Sequence, residues 1–274
     1  MNKRKMHDRI RSFIYTEGRT LPLETVLVLE APLEIVINDT RRILIMCTPG
    51  MIRELVFGFL FTEGFVRDVS QVDRFDLKAC PRPGGDEILE ANVRISGWTE
   101  RLGGVAEAGR SSYSSCGICG RDGFDNLAEG LGRVKSRQRF SMEVILTLPE
   151  KLSRLQPLYE RTGGAHAAVV FDKHGAPVLR SEDMGRHNAL DKVIGAALLE
   201  GVPREDKLLL SSGRASLEMI LKTVKAGFPV FVALSRPTSR AVEAAKFYNV
   251  TLIDMAKDSN RIYSHVRRVD PTGS

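Results

Sequence analysis

Residues 207–254 read KLLLSSGRASLEMILKTVKAGFPVFVALSRPTSRAVEAAKFYNVTLID, and this stretch decides the fold. Its apolar runs at Lys207–Ser211, Pro229–Leu234 and Val250–Asp254 are short and bounded by Gly, Pro, Ser or Asn, which predicts strands. Between them, Ala215–Ala226 and Ser239–Tyr248 carry apolar residues at helical spacing. Strand–helix–strand–helix–strand with short links predicts parallel pairing and ligand sites at the carboxyl ends of the strands.

Upstream of that core, Ala167–Asp172 and Pro177–Arg180 predict a hairpin around Lys173-His174-Gly175. A helix follows, with Ala189, Leu190, Val193, Ile194, Ala197 and Leu198 on one face. Pro149–Glu160 is expected to be one helix, stopped by Gly163-Gly164. In the first half, Thr25–Glu30, Leu33–Asn38 and Arg41–Cys47 predict strands, with Asn38-Asp39 as a turn. Thr48-Pro49-Gly50 opens a helix through Ile52, Leu55, Val56, Phe59 and Leu60, closed near Gly64. Phe75–Ala79 and Glu87–Ile95 predict two more strands, and the first 20 residues read as polar and frayed. The expected fold class is α/β (α+β overall), with an N-terminal α+β domain over 1–135 and an α/β domain over 136–274.

The chain has 274 residues, 43% hydrophobic and 27% charged, which is the balance of a globular enzyme rather than a disordered or fibrous chain. No apolar run approaches the roughly 20 residues that span a bilayer. The basic N-terminus lacks the apolar stretch of a secretory signal. A cytoplasmic location is expected, with no membrane partner. Forty Lys and Arg against 34 Asp and Glu give a net charge of +6, a balance that suits either an anionic ligand or a mixed solvated surface. The four cysteines are Cys47, Cys80, Cys116 and Cys119, too few and too scattered for a disulfide framework.

From about Gly97 to Phe140 the periodicity fades, and Ser114-Ser115-Cys116-Gly117-Ile118-Cys119-Gly120 lies in this stretch. Taken alone, Cys116 and Cys119 admit half a zinc site, a redox or sulfur-transfer pair, or an inert loop. Zinc needs two more ligands, and the five histidines show no ligand-pair spacing. The flanking glycines suit a loop tip that carries a thiolate into another protein's site. A zinc nucleobase deaminase would show His-x-Glu before Pro-Cys-x-x-Cys. Here Ala167 and Ala168 follow His166, and the cysteine pair precedes it.

Three polar clusters fall at element ends: Gly163-Gly164-Ala165-His166, Glu182–Asn188 and Ser211–Ser216. Glycines and helix N-termini can hold a phosphate, and Arg186 and Arg214 can grip one bidentately. Asp183 and Ser212 alone read as caps. His166 and His187 are candidate acid/base groups or satisfied structural donors. Asp191 and Lys192 can simply pair with neighbours.

Together these stretches resemble the formate dehydrogenase accessory protein family, FdhD. Cys116-Gly-Ile-Cys119-Gly resembles its Cys-Gly-x-Cys-Gly loop, and Gly163-Gly-Ala-His166-Ala-Ala its His-Ala-Ala step. Glu182-Asp-Met-Gly-Arg-His-Asn-Ala-Leu-Asp-Lys192 closely matches Glu-Asp-Val-Gly-Arg-His-Asn-Ala-x-Asp-Lys. Ser212-Gly-Arg-Ala-Ser216 with Glu218 and Lys222, and Thr48-Pro-Gly50 with Gly58–Gly64, resemble further signatures in the family's order.

The resemblance implies a sulfurtransferase whose second domain is a cytidine-deaminase-like three-layer α/β unit without the deaminase zinc, and hence no resident metal. It implies that Cys116 takes sulfur as a persulfide from a cysteine desulfurase and that Cys119 assists. The sulfur goes to molybdenum bis(molybdopterin guanine dinucleotide), the cargo destined for formate dehydrogenase. A homodimer that binds the guanine nucleotide ends, without nucleic acid, is implied as well. The implied cofactor contacts are Met255, Ala256, Lys257, Asp258, Ser259, Asn260 and Arg261, joined by Gly164, His166, Arg186, His187 and Arg214. This stretch departs from the family pattern: Asp254 stands where a glycine is usual, Met255 where an aromatic is usual, and the run is one residue shorter.

Overall fold

The computed structural model describes residues 5–81, 87–98, 111–113, 130–257 and 260–271. In chain order, β1 is His7–Thr16, β2 Arg19–Val28, β3 Ala31–Ile37, β4 Arg41–Cys47 and α1 Ile52–Thr62. Then come β5 Val72–Pro81, β6 Glu87–Ile95, β7 Ser111–Tyr113, β8 Phe140–Ser141, α2 Met142–Ser153 and α3 Pro157–Thr162. The remainder is β9 His166–Phe171, β10 Pro177–Asp183, α4 Arg186–Leu199, β11 Leu208–Arg214, α5 Leu217–Ala226, β12 Val230–Ser235, α6 Ser239–Tyr248, β13 Thr251–Asp254, β14 Arg261–Ile262 and β15 Val269–Asp270.

The second half is a six-stranded sheet in the order β10-β9-β11-β12-β13-β14. β11, β12 and β13 run parallel, while β10–β9, β9–β11 and β13–β14 are antiparallel. The central strands are apolar on both faces because both faces are covered. Ala168, Val170, Leu209, Phe231 and Leu252 meet α4, α5 and α6 on one side. Ala167, Val169, Leu208, Leu210, Val232 and Ile253 meet Ile145, Leu148 and Leu152 of α2 on the other. The sheet thus lies between two helical layers, the expected three-layer α/β arrangement. The carboxyl ends of β11, β12 and β13 and the start of β9 share one edge, where the predicted ligand loops lie.

The first half is a five-stranded sheet in the order β5-β6-β3-β4-β7. Leu33, Ile35 and Ile37 of β3 and Ile43 and Ile45 of β4 point to α1 and are buried. α1 is apolar nearly all round because it is covered twice, by this sheet and by α4. The two helices cross at glycines. A Cβ on Gly58 would lie 1.9 Å from the Asp191 carbonyl oxygen, and one on Gly195 would lie 1.9 Å from that of Glu54. Backbone therefore touches backbone, and the two halves share one apolar core.

Two local expectations are corrected. The stretch read as frayed holds a strand from His7 onward: β1 and β2 form a ten-pair antiparallel ribbon. Its turn, Glu17-Gly18, has positive φ at both residues (49° and 78°), the two-residue hairpin geometry that suits strand twist. The single helix expected over Pro149–Glu160 is two helices. α2 starts at Met142, where the Ser141 side chain caps the Val144 N–H, and runs through Pro149. It stops before Pro157, because a residue preceding proline is pushed out of the helical region, and Gln156 sits at φ −116° and ψ 58°.

Candidate functional site

The stretch Glu182–Lys192 closes β10 and opens α4. Most of it turns inward. Asp183 is fully buried and accepts from the Thr48 N–H (3.0 Å), the Gly185 N–H (2.9 Å) and Asn188 Nδ2 (3.0 Å). Lys192, equally buried, pairs with Asp183 at 2.7 Å and donates to the carbonyls of Thr48 (2.9 Å) and Glu182 (3.2 Å). Asn188 also donates to the Met46 carbonyl at 2.8 Å. Half of a motif that resembles an anion loop is thus a clamp on the end of β4. A buried pair with this many additional bonds registers the two halves, since loss of either partner would strand a buried charge.

A second buried cluster lies one turn further along. Lys222 Nζ is 2.6 Å from Asp191, 3.2 Å from Glu63 and 3.9 Å from Glu218. Thr62 donates to Asp191 at 2.8 Å. Burial pulls the Lys222 ammonium down, but the three carboxylates outweigh it and hold its pKa above the ordinary lysine value. Burial raises the Asp191 carboxyl against the pull of Lys222. Burial likewise pushes Glu218 from 4.5 up to about 7, with Lys222 opposing and Glu63 and Asp191 adding.

The folded chain therefore holds the Glu218 proton between pH 4.5 and 7, where the unfolded chain has lost it, so stability falls as pH rises through that window. Glu218→Gln should flatten the stability curve across the window and match or exceed the wild type at pH 8. Urea titrations at pH 5 and pH 8 measure it. A variant with the unaltered pH slope would contradict the assignment.

What remains at the edge is compact. His166 opens β9, its Nδ1 3.3 Å from Ser212 Oγ at the end of β11. Ser212 already accepts from the Ala167 N–H at 2.9 Å, which leaves its proton to donate to the imidazole. Burial lowers the His166 pKa, and the charge of Arg186 lowers it further against the pull of Asp183. His166 is then a neutral imidazole at neutral pH. Arg186 is the first residue of α4, half-buried, with a buried Nε that has no partner among the described residues. It lies over Gly213, where a Cβ would come within 3.0 Å of the Arg186 Cβ and Cδ. The α4 cap, Gly185, offers no side-chain acceptor to the first-turn N–H groups. A guanidinium nitrogen without a partner, at a helix N-terminus whose cap residue has no side chain, is chemically suited to an anion.

The other predicted residues divide. Arg214 is exposed at the end of β11, and Gly164 is exposed beside Val28 just before β9. His187 is only 5% exposed, with Nε2 3.5 Å from both Ser216 Oγ and Glu218, so it lies beneath the edge rather than on it. Met255, Ala256 and Lys257 leave β13 at the same edge, and Asn260 and Arg261 return to β14. Asp254, which stands in place of the family's usual glycine, ties this loop down. It is fully buried and accepts from the Ala256 N–H (2.7 Å) and the Tyr263 hydroxyl (3.2 Å). That anchoring role is carried by a partner nine residues away, and sequence reasoning missed it. Cys116, Cys119, Asp258 and Ser259 lie outside the described residues. Of the other cysteines, Cys47 is buried at the end of β4 and Cys80 is half-buried in β5.

Among the described residues no helix is long and apolar enough to cross a membrane. The profile of the FdhD/NarQ family matches residues 28–270. A relative from Thermoplasma acidophilum, named sulfur carrier protein FdhD, is 36% identical over 269 residues, covering 96% of this chain and 93% of its own. A protein of the same name from Anaeromyxobacter dehalogenans is 38% identical over 264 residues, covering 90% and 89%. A crystal structure from Desulfotalea psychrophila, described as a formate dehydrogenase accessory protein, superposes with a TM-score of 0.73 over 97% of this chain and all of its own. At 19% identity, that likeness shows a shared fold.

Proposed function

The chain belongs to the FdhD/NarQ family, and on that premise we propose that it is a sulfur carrier serving formate dehydrogenase, with Cys116 as the carrying thiolate. The observation that supports this most is similarity over about nine-tenths of the chain to proteins named as sulfur carriers, joined to the Cys116-Gly-Ile-Cys119-Gly sequence that resembles the family's motif. The Cys116 thiolate attacks the outer sulfur of a cysteine desulfurase persulfide. The S–S bond of that persulfide breaks, the desulfurase leaves as a thiolate, and Cys116 holds the sulfur as Cys–S–SH. Exchange of this kind needs no external oxidant or reductant. The S–S bond of Cys116–S–SH would then break, Cys116 leaving as a thiolate, and the outer sulfur would reach the sulfide level by taking two electrons from reduced molybdenum in the bis(molybdopterin guanine dinucleotide) cargo, which accepts soft sulfur ligands.

The edge built by His166, Ser212, Arg186 and Arg214 suits the cargo's pyrophosphate. Arg186 would grip an anionic oxygen, the α4 N–H groups would face it, and the neutral His166 would donate from Nε2. Gly164, exposed beside it, leaves the backbone open to close approach, and the Met255–Arg261 loop borders the same edge. His187 holds Ser216 from below. Restoration of formate dehydrogenase activity in cells lacking their own accessory protein tests the function. Failure of the well-folded wild-type chain to restore it would count against the proposal.

Guanosine diphosphate should bind at low salt, more weakly as ionic strength rises. Arg186→Ala should weaken it by roughly 10- to 150-fold, the range of one charge-assisted bond of about 1.5–3 kcal/mol. Calorimetry that finds no binding, or equal binding by the variant, would remove the edge from the cargo site.

A further inference from the structure

The opposite edge of the six-stranded sheet carries a second cationic feature. Residues 131–139 belong to no helix or turn, pass the amino ends of β12 and β13, and alternate in burial as an extended chain does. Arg133, Lys135, Arg137 and Arg139 are exposed, while Val134 and Phe140 are buried. Side chains in an extended chain alternate sides, so this spacing puts four cations in a row roughly 20 Å long.

The backbone alternates in the same way. Val134 donates its N–H to the Tyr248 carbonyl (2.9 Å) and accepts from Asn249 Nδ2 (2.7 Å), and the Ser136 carbonyl accepts from Arg268. The backbone groups of Lys135 and Arg137 have no partner among the described residues. Arg133, Lys135 and Arg137 likewise have no carboxylate partner there, whereas Arg139 pairs with Asp270.

A cavity of about 580 Å³ lies along this row, bordered by Arg137, Arg139, His265, Arg267 and Arg268 with no carboxylate in its lining. Arg268 is fixed there by bonds to the Pro229 carbonyl and Thr251 hydroxyl. A second cavity of about 560 Å³ continues along Arg133 and Lys135.

We propose that this strip docks an extended acidic peptide segment of a partner protein. The segment adds a strand along Lys135 and Arg137, and its carboxylates meet Arg133, Lys135, Arg137 and Arg267. Strand addition supplies affinity through backbone bonds, and alternate side chains supply selectivity. Nucleic acid suits the strip less well. Neither cavity is lined by a Phe, Tyr or Trp ring on which a base could stack, and Glu205 and Asp206 border the second.

A fluorescent octapeptide of alternating Glu and Val should bind the full chain, with affinity that falls as salt rises. The triple variant R133S/K135S/R137S should bind at least about tenfold more weakly. In the wild type, the Lys135 and Arg137 amides should gain protection from hydrogen exchange when the peptide is bound, a readout that does not depend on the variant folding. Equal binding by a folded variant, unprotected amides, or a single-stranded oligonucleotide that binds more tightly than the peptide would each overturn the assignment.

Discussion

Cys116→Ser should abolish formate dehydrogenase activation, and Cys119→Ser should leave part of it. A persulfide carrier needs one sulfur nucleophile, and serine cannot hold a sulfane sulfur. Removal of the neighbouring thiol alters thiolate stability or the release rate without removing the acceptor. The two other chemistries of a Cys-x-x-Cys pair give different patterns. A structural zinc pair makes the two substitutions lower the melting temperature alike, since each removes a ligand of one metal. A redox pair makes both inactive with unchanged melting. Activity and thermal melts of the two variants therefore separate all three, and equal inactivity with unchanged melting would contradict the carrier role.

Gly195→Val should be among the most destabilising single substitutions outside the charged clusters. Even a Cβ at this position would occupy the space of the Glu54 carbonyl oxygen, and the opposing atom is backbone that cannot swing aside. Helices α1 and α4 would have to separate. The separation would disturb the Thr62–Asp191 bond (2.8 Å) and the Lys222–Glu63 pair (3.2 Å) together. Overpacking against side chains costs about 1–3 kcal/mol. Displacement of two helix backbones should exceed about 3 kcal/mol in chemical denaturation. A loss below about 1 kcal/mol would mean that the crossing is looser than its geometry.

The architecture was legible wherever one periodicity ran unbroken. Residues 207–254 alternate clean apolar strands with amphipathic helices, and the six-stranded sheet follows. The β1–β2 ribbon was not, because Ile10, Ile14, Leu21 and Leu23 are interleaved with Arg, Ser, Thr and Glu and stay exposed. No buried face betrays them. The Glu17-Gly18 pair between two runs rich in β-branched and aromatic residues was the available signal.

At the candidate site, the sequence placed Gly164, His166, Arg186 and Arg214 at element ends, the family resemblance added Met255–Arg261, and their described members lie toward one edge of the six-stranded sheet. The roles within Glu182–Lys192 were hidden because the partners are remote in sequence. Thr48 is 135 residues from Asp183, and Lys222 is 31 from Asp191. No local spacing separates an arginine left at the sheet edge from the aspartate, asparagine and lysine beside it that fasten two sheets together.

The central claim is that sulfur rides on Cys116. Mass spectrometry of the chain after incubation with a cysteine desulfurase and cysteine tests it most directly. The peptide that bears Cys116 should gain the mass of one sulfur, and a reductant should remove it. Added sulfur found only on the peptides of Cys47 or Cys80, with the Cys116 peptide unmodified, would contradict the claim.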